Sequence, residues 1–167
     1  PVVIESNAEL AKAFFAGRCD VLTSDASQLA GTRAVAPKPD DYEILPDIIS
    51  KEPLAPAVRH GDNQWKDIVN YSVLAMIEAE ELGIHSKNVD DMLKSTNPAV
   101  QRFLGVAAGN GKALGLDEKW AYNIIKQVGN YAEVFERNVG KNTPLKLERG
   151  LNALWKNGGL MYSPPFR

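Results

Sequence analysis

The chain contains 167 residues, of which 19 are Lys or Arg and 21 are Asp or Glu, so its formal net charge is −2. This near-neutral balance gives no electrostatic case for a nucleic-acid partner or an anionic membrane surface, since both require a basic face. No apolar run approaches the roughly 20 residues that cross a bilayer, so the chain is not expected to be an integral membrane protein. One cysteine and two histidines are too few for a structural zinc site, and no cofactor is expected.

The first part of the chain alternates short apolar segments with helical patterns. Residues 2–4 predict a first strand, and Ser6 followed by Glu9 resembles a capping box that opens a helix. Residues 20–24 predict a second strand, followed by a helix over residues 26–34. Strands that alternate with helices predict parallel pairing, so the fold class is expected to be α/β.

The middle of the chain continues this alternation and then changes character. Residues 42–46 predict a third strand, and residues 54–59 predict another at a sheet edge, because Pro56 cannot donate a backbone hydrogen bond. A long helix that Asp62 caps and Gly83 ends is expected next. The mixed pattern stops there, which places a boundary near residue 84.

From residue 85 onward the periodicity is helical throughout. Helices are expected over residues 86–94, 97–104, 117–135 and 143–155, the third with a kink at its Gly-Asn pair, and an extended tail follows. Residues 105–115 form a glycine-rich loop between two of these helices. Its sequence lacks the full spacing of a phosphate-binding loop and the hydroxyl after the lysine, so we do not interpret it as a nucleotide site.

Asp25 is the main candidate for a binding residue. It follows the predicted second strand and stands where the next helix should begin. Ligands of open α/β sheets bind outside the carboxyl ends of strands, and an ionised carboxylate suits an ammonium group. The alternative is that Asp25 only caps the helix, which is common at such turns, and both roles can hold together.

Cys19 is the only cysteine of the chain, so it cannot form an internal disulfide. It is a small buried residue, a reactive thiol or half of a bridge to a partner elsewhere. A catalytic role is not expected, because a nucleophilic cysteine needs a nearby base and both His60 and His85 read as surface residues.

Several segments together resemble the periplasmic general L-amino-acid-binding proteins of ABC transporters, which are type II solute-binding proteins. The segments that carry the resemblance are residues 16–27 (AGRCDVLTSDAS), 45–54 (LPDIISKEPL), 57–62 (AVRHGD), 128–138 (VGNYAEVFERN), 149–155 (RGLNALW) and 164–167 (PPFR). The match spans essentially the whole chain and is specific. Members of this family have two α/β lobes with the amino acid bound between them.

The resemblance implies that this chain is only the carboxyl-terminal half of such a protein. It would begin within the second lobe, in agreement with a start at Pro-Val-Val that has neither an initiator Met nor a signal sequence. Residues 1–50 would be part of lobe two, residues 51–84 the hinge crossover with a strand and long helix of lobe one, and residues 85–167 a helical carboxyl-terminal extension. The fold expected is therefore an incomplete periplasmic-binding-protein-like lobe with that extension.

The resemblance also assigns roles to individual residues. Asp25 matches the acid that receives the α-ammonium of the ligand, and the neighbouring Thr23, Ser24 and Ser27 could add hydroxyl contacts. The ordinary role of those three hydroxyls is hydrogen bonding within the strand and the helix cap. The groups that hold the ligand carboxylate would lie in the missing half, so only half of the pocket is expected here.

Further implications concern the hinge and the cysteine. Glu52 and Pro53 would lie in the crossover that bends when the lobes close. Cys19 would pair with a cysteine of the missing half, consistent with an oxidising periplasm.

The expected function is that of a partial, periplasmic solute-binding component that delivers L-amino acids to the membrane permease of an ABC importer. Its partners would be the ligand, the permease, and the missing amino-terminal half or a second copy of the chain. One alternative is an enzyme on the same fold, a dehydratase or a lytic transglycosylase, which would need a buried acid such as Glu133 or Glu136. Another is an assembly fragment that binds no ligand by itself.

Overall fold

The computed structural model describes residues 2–166. The α-helices within that range are α1 (Asn7–Phe15), α2 (Ala26–Ala34), α3 (Asn63–Glu81), α4 (Val89–Met92), α5 (Pro98–Phe103), α6 (Trp120–Gln127) and α7 (Tyr131–Asn138). Short 3-10 turns occupy Pro39–Asp41, Lys112–Leu114, Gly150–Asn152 and Trp155–Asn157. None of the helices in residues 2–166 is long and apolar enough to cross a membrane.

The chain divides into two compact units. The amino-terminal unit consists of the chain through Leu54 together with Val139–Glu148, and the carboxyl-terminal unit consists of Ala55–Asn138 together with the chain from Arg149 onward. This division does not fall at the boundary expected near residue 84, because α3 packs against α6 and α7. The three-part assignment to lobes and extension stays a prediction.

The amino-terminal unit is built on α1 and α2. Ser6 caps α1 as expected, since its hydroxyl oxygen accepts a hydrogen bond from the N–H of Glu9 at 3.4 Å. The buried apolar side chains in the described part of this unit are all alanines: Ala13, Ala30 and Ala36. Its aromatic side chains form one cluster, in which the rings of Phe15 and Tyr42 lie edge to face with centroids 5.1 Å apart. The core of this unit is therefore small.

The strands expected over residues 2–4, 20–24, 42–46 and 54–59 are not formed in the described residues. The only bridge between extended segments there is an isolated parallel one between Leu154 and Met161. A strand needs a hydrogen-bonded neighbour, whereas a helix satisfies its own backbone. Several apolar side chains that should have been buried on a sheet are instead exposed, with Val3 at 87% and Leu54 at 76%. The α/β class therefore stays a prediction for a more complete lobe.

The carboxyl-terminal unit has a conventional hydrophobic core. Helix α3 begins as expected at Asp62, whose carboxylate accepts a hydrogen bond from the N–H of Trp65 at 3.0 Å. One cluster of buried side chains joins α3 to α4, α5 and α6: Ala75, Ala79, Ile84, Val89, Val100, Phe103, Leu104, Leu114, Trp120, Ala121 and Ile125. The tail packs on this cluster through Phe166, whose ring lies 5.6 Å from that of Phe103.

Three of the expected helices differ in the structure. The helix expected over residues 86–94 is shorter and comprises only α4 (Val89–Met92). The helix expected over residues 117–135 is two helices, α6 and α7, because Gly129 adopts a φ of 95° that ends one and redirects the chain into the next. The prediction of a helix over residues 143–155 is wrong. Lys146 has a left-handed φ of 52°, and the N–H of Leu147 donates to the carbonyl of Val139 instead of to a helical partner.

Candidate functional site

Asp25 occupies the N-cap position of α2 but does not cap it with its side chain. Its φ and ψ are −56° and 142°, and its carbonyl oxygen accepts the first helical hydrogen bond, from the N–H of Leu29 at 2.9 Å. The carboxylate accepts no hydrogen bond from the helix N–H groups. The side chain is half-buried. The side-chain cap that the sequence also allowed is therefore absent, and the carboxylate keeps its acceptor capacity for another donor.

One of the three hydroxyl-bearing neighbours of Asp25 makes a side-chain hydrogen bond. Thr23, Ser24 and Ser27 are all exposed. The hydroxyl of Ser24 donates to the side-chain oxygen of Gln28 at 2.8 Å, across the first turn of α2. Gln28 was not a candidate from the sequence, although its spacing of four residues from Ser24 is the signal that could have indicated it.

Glu52 and Pro53 lie next to the point where the chain leaves the amino-terminal unit. The division between the units falls between Leu54 and Ala55. Residues 51–59 form neither helix nor strand, and both Glu52 and Pro53 are exposed. Cys19, in the amino-terminal unit, is half-buried with a free thiol. The hinge and disulfide roles of these residues stay predictions.

Glu133, one candidate acid for an enzymatic reaction, forms hydrogen bonds that link the start of α7 to the segment before α4. Its carboxylate accepts hydrogen bonds from the N–H of Asn130 at 2.8 Å and from the hydroxyl and N–H of Ser86 at 2.5 and 3.0 Å. The side-chain oxygen of Asn130 accepts in return from the N–H of Glu133 at 3.0 Å, which completes a capping box at the start of α7.

The electrostatics of Glu133 also disfavour a role as a general acid. Burial raises the pKa of its carboxyl, but the hydrogen bonds from Ser86 and Asn130 outweigh burial and hold the pKa below its ordinary value. A general acid that works near neutral pH needs a raised pKa. Glu133 therefore fits a structural role.

The glycine-rich loop is filled by a carboxylate of the chain itself. The N–H groups of Gly109 and Lys112 donate to the two carboxylate oxygens of Glu118, at 3.0 and 3.1 Å. A Cβ added at Gly109 would lie 2.7 Å from the carbonyl oxygen of Arg102, so the close packing of this loop requires glycine there. An internal anion thus occupies the N–H groups that a phosphate would need.

Arg149 forms a half-buried cluster that the sequence did not predict. Its guanidinium donates to both carboxylate oxygens of Glu80, at 3.0 and 3.1 Å, and lies over the ring of Phe135 at 5.3 Å. The side chains of Arg149 and Glu80 are only 19% and 14% exposed. Nearby, the indole N–H of Trp155 donates to the carboxylate of Glu81. These contacts fix the segment after residue 149 on the end of α3.

Comparison with known proteins gives consistent matches along the whole chain. It is 55% identical over 169 residues to the general L-amino acid-binding periplasmic protein AapJ of Rhizobium johnstonii, covering all of this chain and 50% of that protein. It is 53% identical to the glutamate/glutamine/aspartate/asparagine-binding protein BztA of Rhodobacter capsulatus, again over all of this chain and 50% of the relative. No protein-family model matches the chain.

A solved structure agrees with these relatives. The chain superimposes with a TM-score of 0.92 and 51% identity on an ABC transporter periplasmic binding protein from Brucella ovis with glutathione bound, covering 100% of this chain and 53% of that one. The chain is thus homologous to the periplasmic amino-acid-binding proteins of ABC transporters, which confirms the resemblance. It spans about half the length of the relatives it matches, in agreement with the expected carboxyl-terminal half.

Proposed function

We propose that this chain is part of a periplasmic solute-binding protein that binds L-amino acids and delivers them to the permease of an ABC importer. The observation that carries the proposal is the carboxylate of Asp25, half-buried and without a capping hydrogen bond, at the start of α2. It stands in a chain that is 55% identical to a general L-amino acid-binding protein. Its role is to accept hydrogen bonds from the ligand ammonium.

The ligands named for the relatives support this role for Asp25. BztA is named for glutamate, glutamine, aspartate and asparagine, and the Brucella ovis protein holds glutathione. These compounds share an α-ammonium beside an α-carboxylate, because the γ-glutamyl residue of glutathione keeps both groups free. A carboxylate that binds the ammonium suits the whole set, whatever the ligand side chain. L-amino acids are therefore the proposed class, and γ-glutamyl peptides are a second class to test.

The remainder of the pocket and of the α/β lobe would come from the amino-terminal half. Segments of the amino-terminal unit that form neither helix nor strand expose Val21, Leu45 and Ile49 at 68%, 60% and 79%. Apolar side chains on unpaired extended segments suit pairing with further strands. A second copy of the chain is the competing partner for these exposed segments. In this proposal the backbone at Glu52 and Pro53 bends when the lobes close on the ligand.

Binding without turnover is the proposed activity. The relatives are named as binding proteins, and the carboxylate of Glu133 holds a helix cap and Ser86. Incubation with peptidoglycan tests the lytic alternative. Released muropeptides that disappear in a Glu133→Gln or Glu136→Gln variant would favour the enzyme.

Isothermal titration with a panel of L-amino acids and glutathione tests the proposal. The chain is titrated alone and then mixed with the separately expressed amino-terminal half of AapJ. We expect binding only in the mixture, because the groups for the ligand carboxylate lie in the added half. If neither sample binds any member of the panel, the proposed function is wrong and the assembly-fragment alternative is favoured.

Asp25→Asn is the variant that tests the site itself. Loss of a charged hydrogen bond to the ammonium is expected to weaken amino-acid binding about tenfold to a hundredfold, or about 1.5 to 3 kcal/mol. Asp20→Asn is the matched control, since Asp20 is exposed, lies in the same segment and undergoes the same chemical change. Equal affinities for the two variants would leave Asp25 as a helix-end residue without a ligand role.

A further inference from the structure

The side chain of Gln28 makes a contact that changes what Ser24 can offer to a ligand. The Ser24 hydroxyl donates to the Gln28 side-chain oxygen at 2.8 Å, from just before α2 to its first turn. A serine hydroxyl has one proton and two lone pairs. Once the proton is donated to Gln28, the Ser24 oxygen can only accept from a further partner.

Asp25, the residue after Ser24, is likewise limited to accepting hydrogen bonds. The ionised carboxylate of Asp25 is also an acceptor only, and it makes no hydrogen bond to the helix. The side chains of Ser24 and Asp25 would therefore present acceptors and no donors just before α2. Acceptors without donors match an ammonium, which carries three N–H donors, better than a hydroxyl, which carries one donor and its own lone pairs.

We infer that Gln28 is a positioning residue that holds the Ser24 hydroxyl as an acceptor and thereby sets the preference of this site for an ammonium over a hydroxyl. The inference rests on the proposed function, since it concerns the same ligand group as Asp25. Gln28 is half-buried in α2, and its side chain acts on the ligand through Ser24. The recognised feature of the ligand is therefore a free α-ammonium, as opposed to a 2-hydroxy or N-acylated acid.

The test compares L-glutamate with L-2-hydroxyglutarate, in which a hydroxyl replaces the ammonium. Affinities are measured by titration and displacement on the chain mixed with the amino-terminal half of AapJ. Gln28→Met keeps the length and helix propensity of the side chain but removes the acceptor. We expect about tenfold weaker binding of L-glutamate and an unchanged affinity for the hydroxy acid, because the released Ser24 hydroxyl can then donate to it.

Four further variants test whether Gln28 acts on the ligand through Ser24 or only stabilises the fold. Gln28→Glu keeps the acceptor and is expected to bind L-glutamate within about threefold of the parent chain. Ser24→Ala is expected to lose as much as Gln28→Met, and the double variant no more than either alone, because the two side chains act as one unit. Thr32→Ala, one turn further along α2, is the matched control and should change neither affinity.

The outcomes distinguish this inference from the proposed function. If the parent mixture binds L-glutamate but Gln28→Met weakens both ligands equally, or weakens neither, the inference about Gln28 is wrong and the proposed function stands. If the parent mixture binds no amino acid, both are wrong. A tenfold fall in the preference for L-glutamate over the hydroxy acid, with binding retained in Gln28→Glu, supports the inference.

Discussion

The two units of this chain are stabilised to very different degrees by their own residues. In the carboxyl-terminal unit, side chains from α3 to α6 form one buried cluster that includes Leu104, Trp120 and Ile125. In the amino-terminal unit the buried apolar side chains are alanines, while Val3 and Ile49 are 87% and 79% exposed. Hydrophobic burial is the dominant favourable term in folding, so most of the intrinsic stability should lie in the carboxyl-terminal unit.

This difference has a physical origin in the kind of element each unit uses. Helices satisfy their backbone locally, and the carboxyl-terminal unit contains enough of them to cover its own core. The amino-terminal unit has a sequence patterned for strands, and a strand is stable only beside another strand. Under the proposed function, these segments would pair with strands from the amino-terminal half of a complete binding protein.

Truncating one leucine in each unit tests the comparison most strongly. Leu104→Ala removes a fully buried side chain and is expected to lower the free energy of unfolding by about 2 to 5 kcal/mol. Leu45→Ala, the same change at a side chain that is 60% exposed, should lower it by less than about 0.5 kcal/mol. Urea denaturation followed by circular dichroism gives both values. Equal losses would contradict the assignment of stability to the carboxyl-terminal unit.

Replacing one glycine in each unit by alanine should change stability in opposite directions. A Cβ at Gly159 would overlap the carbonyl oxygen of Ala153, so Gly159→Ala is expected to destabilise the carboxyl-terminal unit by about 1 to 3 kcal/mol. Gly31 lies inside α2 with open space around it, so Gly31→Ala should stabilise that helix by up to about 1 kcal/mol. Thermal melts of both variants would show the two directions. A stabilised Gly159→Ala variant would mean that the loop before Met161 is not closely packed.

Breaking the capping box of α7 should have a smaller effect on the free energy of unfolding, and this effect should depend on pH. The pKa of Glu133 is below its ordinary value of 4.5 in the folded chain, so its contribution to stability is present above about pH 4.5 and is lost as the pH falls through the folded pKa. Glu133→Gln is expected to cost about 1 kcal/mol at pH 7, and the cost should shrink under acid. Urea midpoints at several pH values measure this.

Glu136→Gln is the control for that experiment, because Glu136 lies on the same helix and is half-buried as well. At pH 7 it should change the free energy of unfolding by less than about 0.5 kcal/mol, because Glu136 takes no part in the capping box. A cost of Glu133→Gln that is constant from pH 7 to pH 3 would count against the lowered pKa of this carboxyl.

The helix starts of this protein could be predicted from the sequence because they depend on near neighbours. Ser6 with Glu9 and Asp62 with Trp65 are contacts over three residues, and α1 and α3 begin where these residues indicate. The path of residues 143–155 was not predicted, since it depends on distant contacts such as the pairing of Arg149 with Glu80.

The candidate site was predictable in part for the same reason. Asp25 stands at the start of a helix that the sequence places correctly. The absence of a side-chain cap and the bond from Ser24 to Gln28 depend on side-chain conformations, which no periodicity reveals. The proposal that Asp25 binds ligand rests mainly on the resemblance, because capping also explains an aspartate at a predicted helix start.

Amide hydrogen exchange of the chain, alone and mixed with the amino-terminal half of AapJ, tests the central claim most directly. We expect the amides of residues 2–4, 20–24, 42–46 and 54–59 to exchange rapidly in the chain alone and to become protected in the mixture. The amides of α3 and α6 should be protected in both samples. Protection of the four segments in the chain alone, or no gain on mixing, would contradict the account that the amino-terminal unit needs the other half of the protein to complete its sheet.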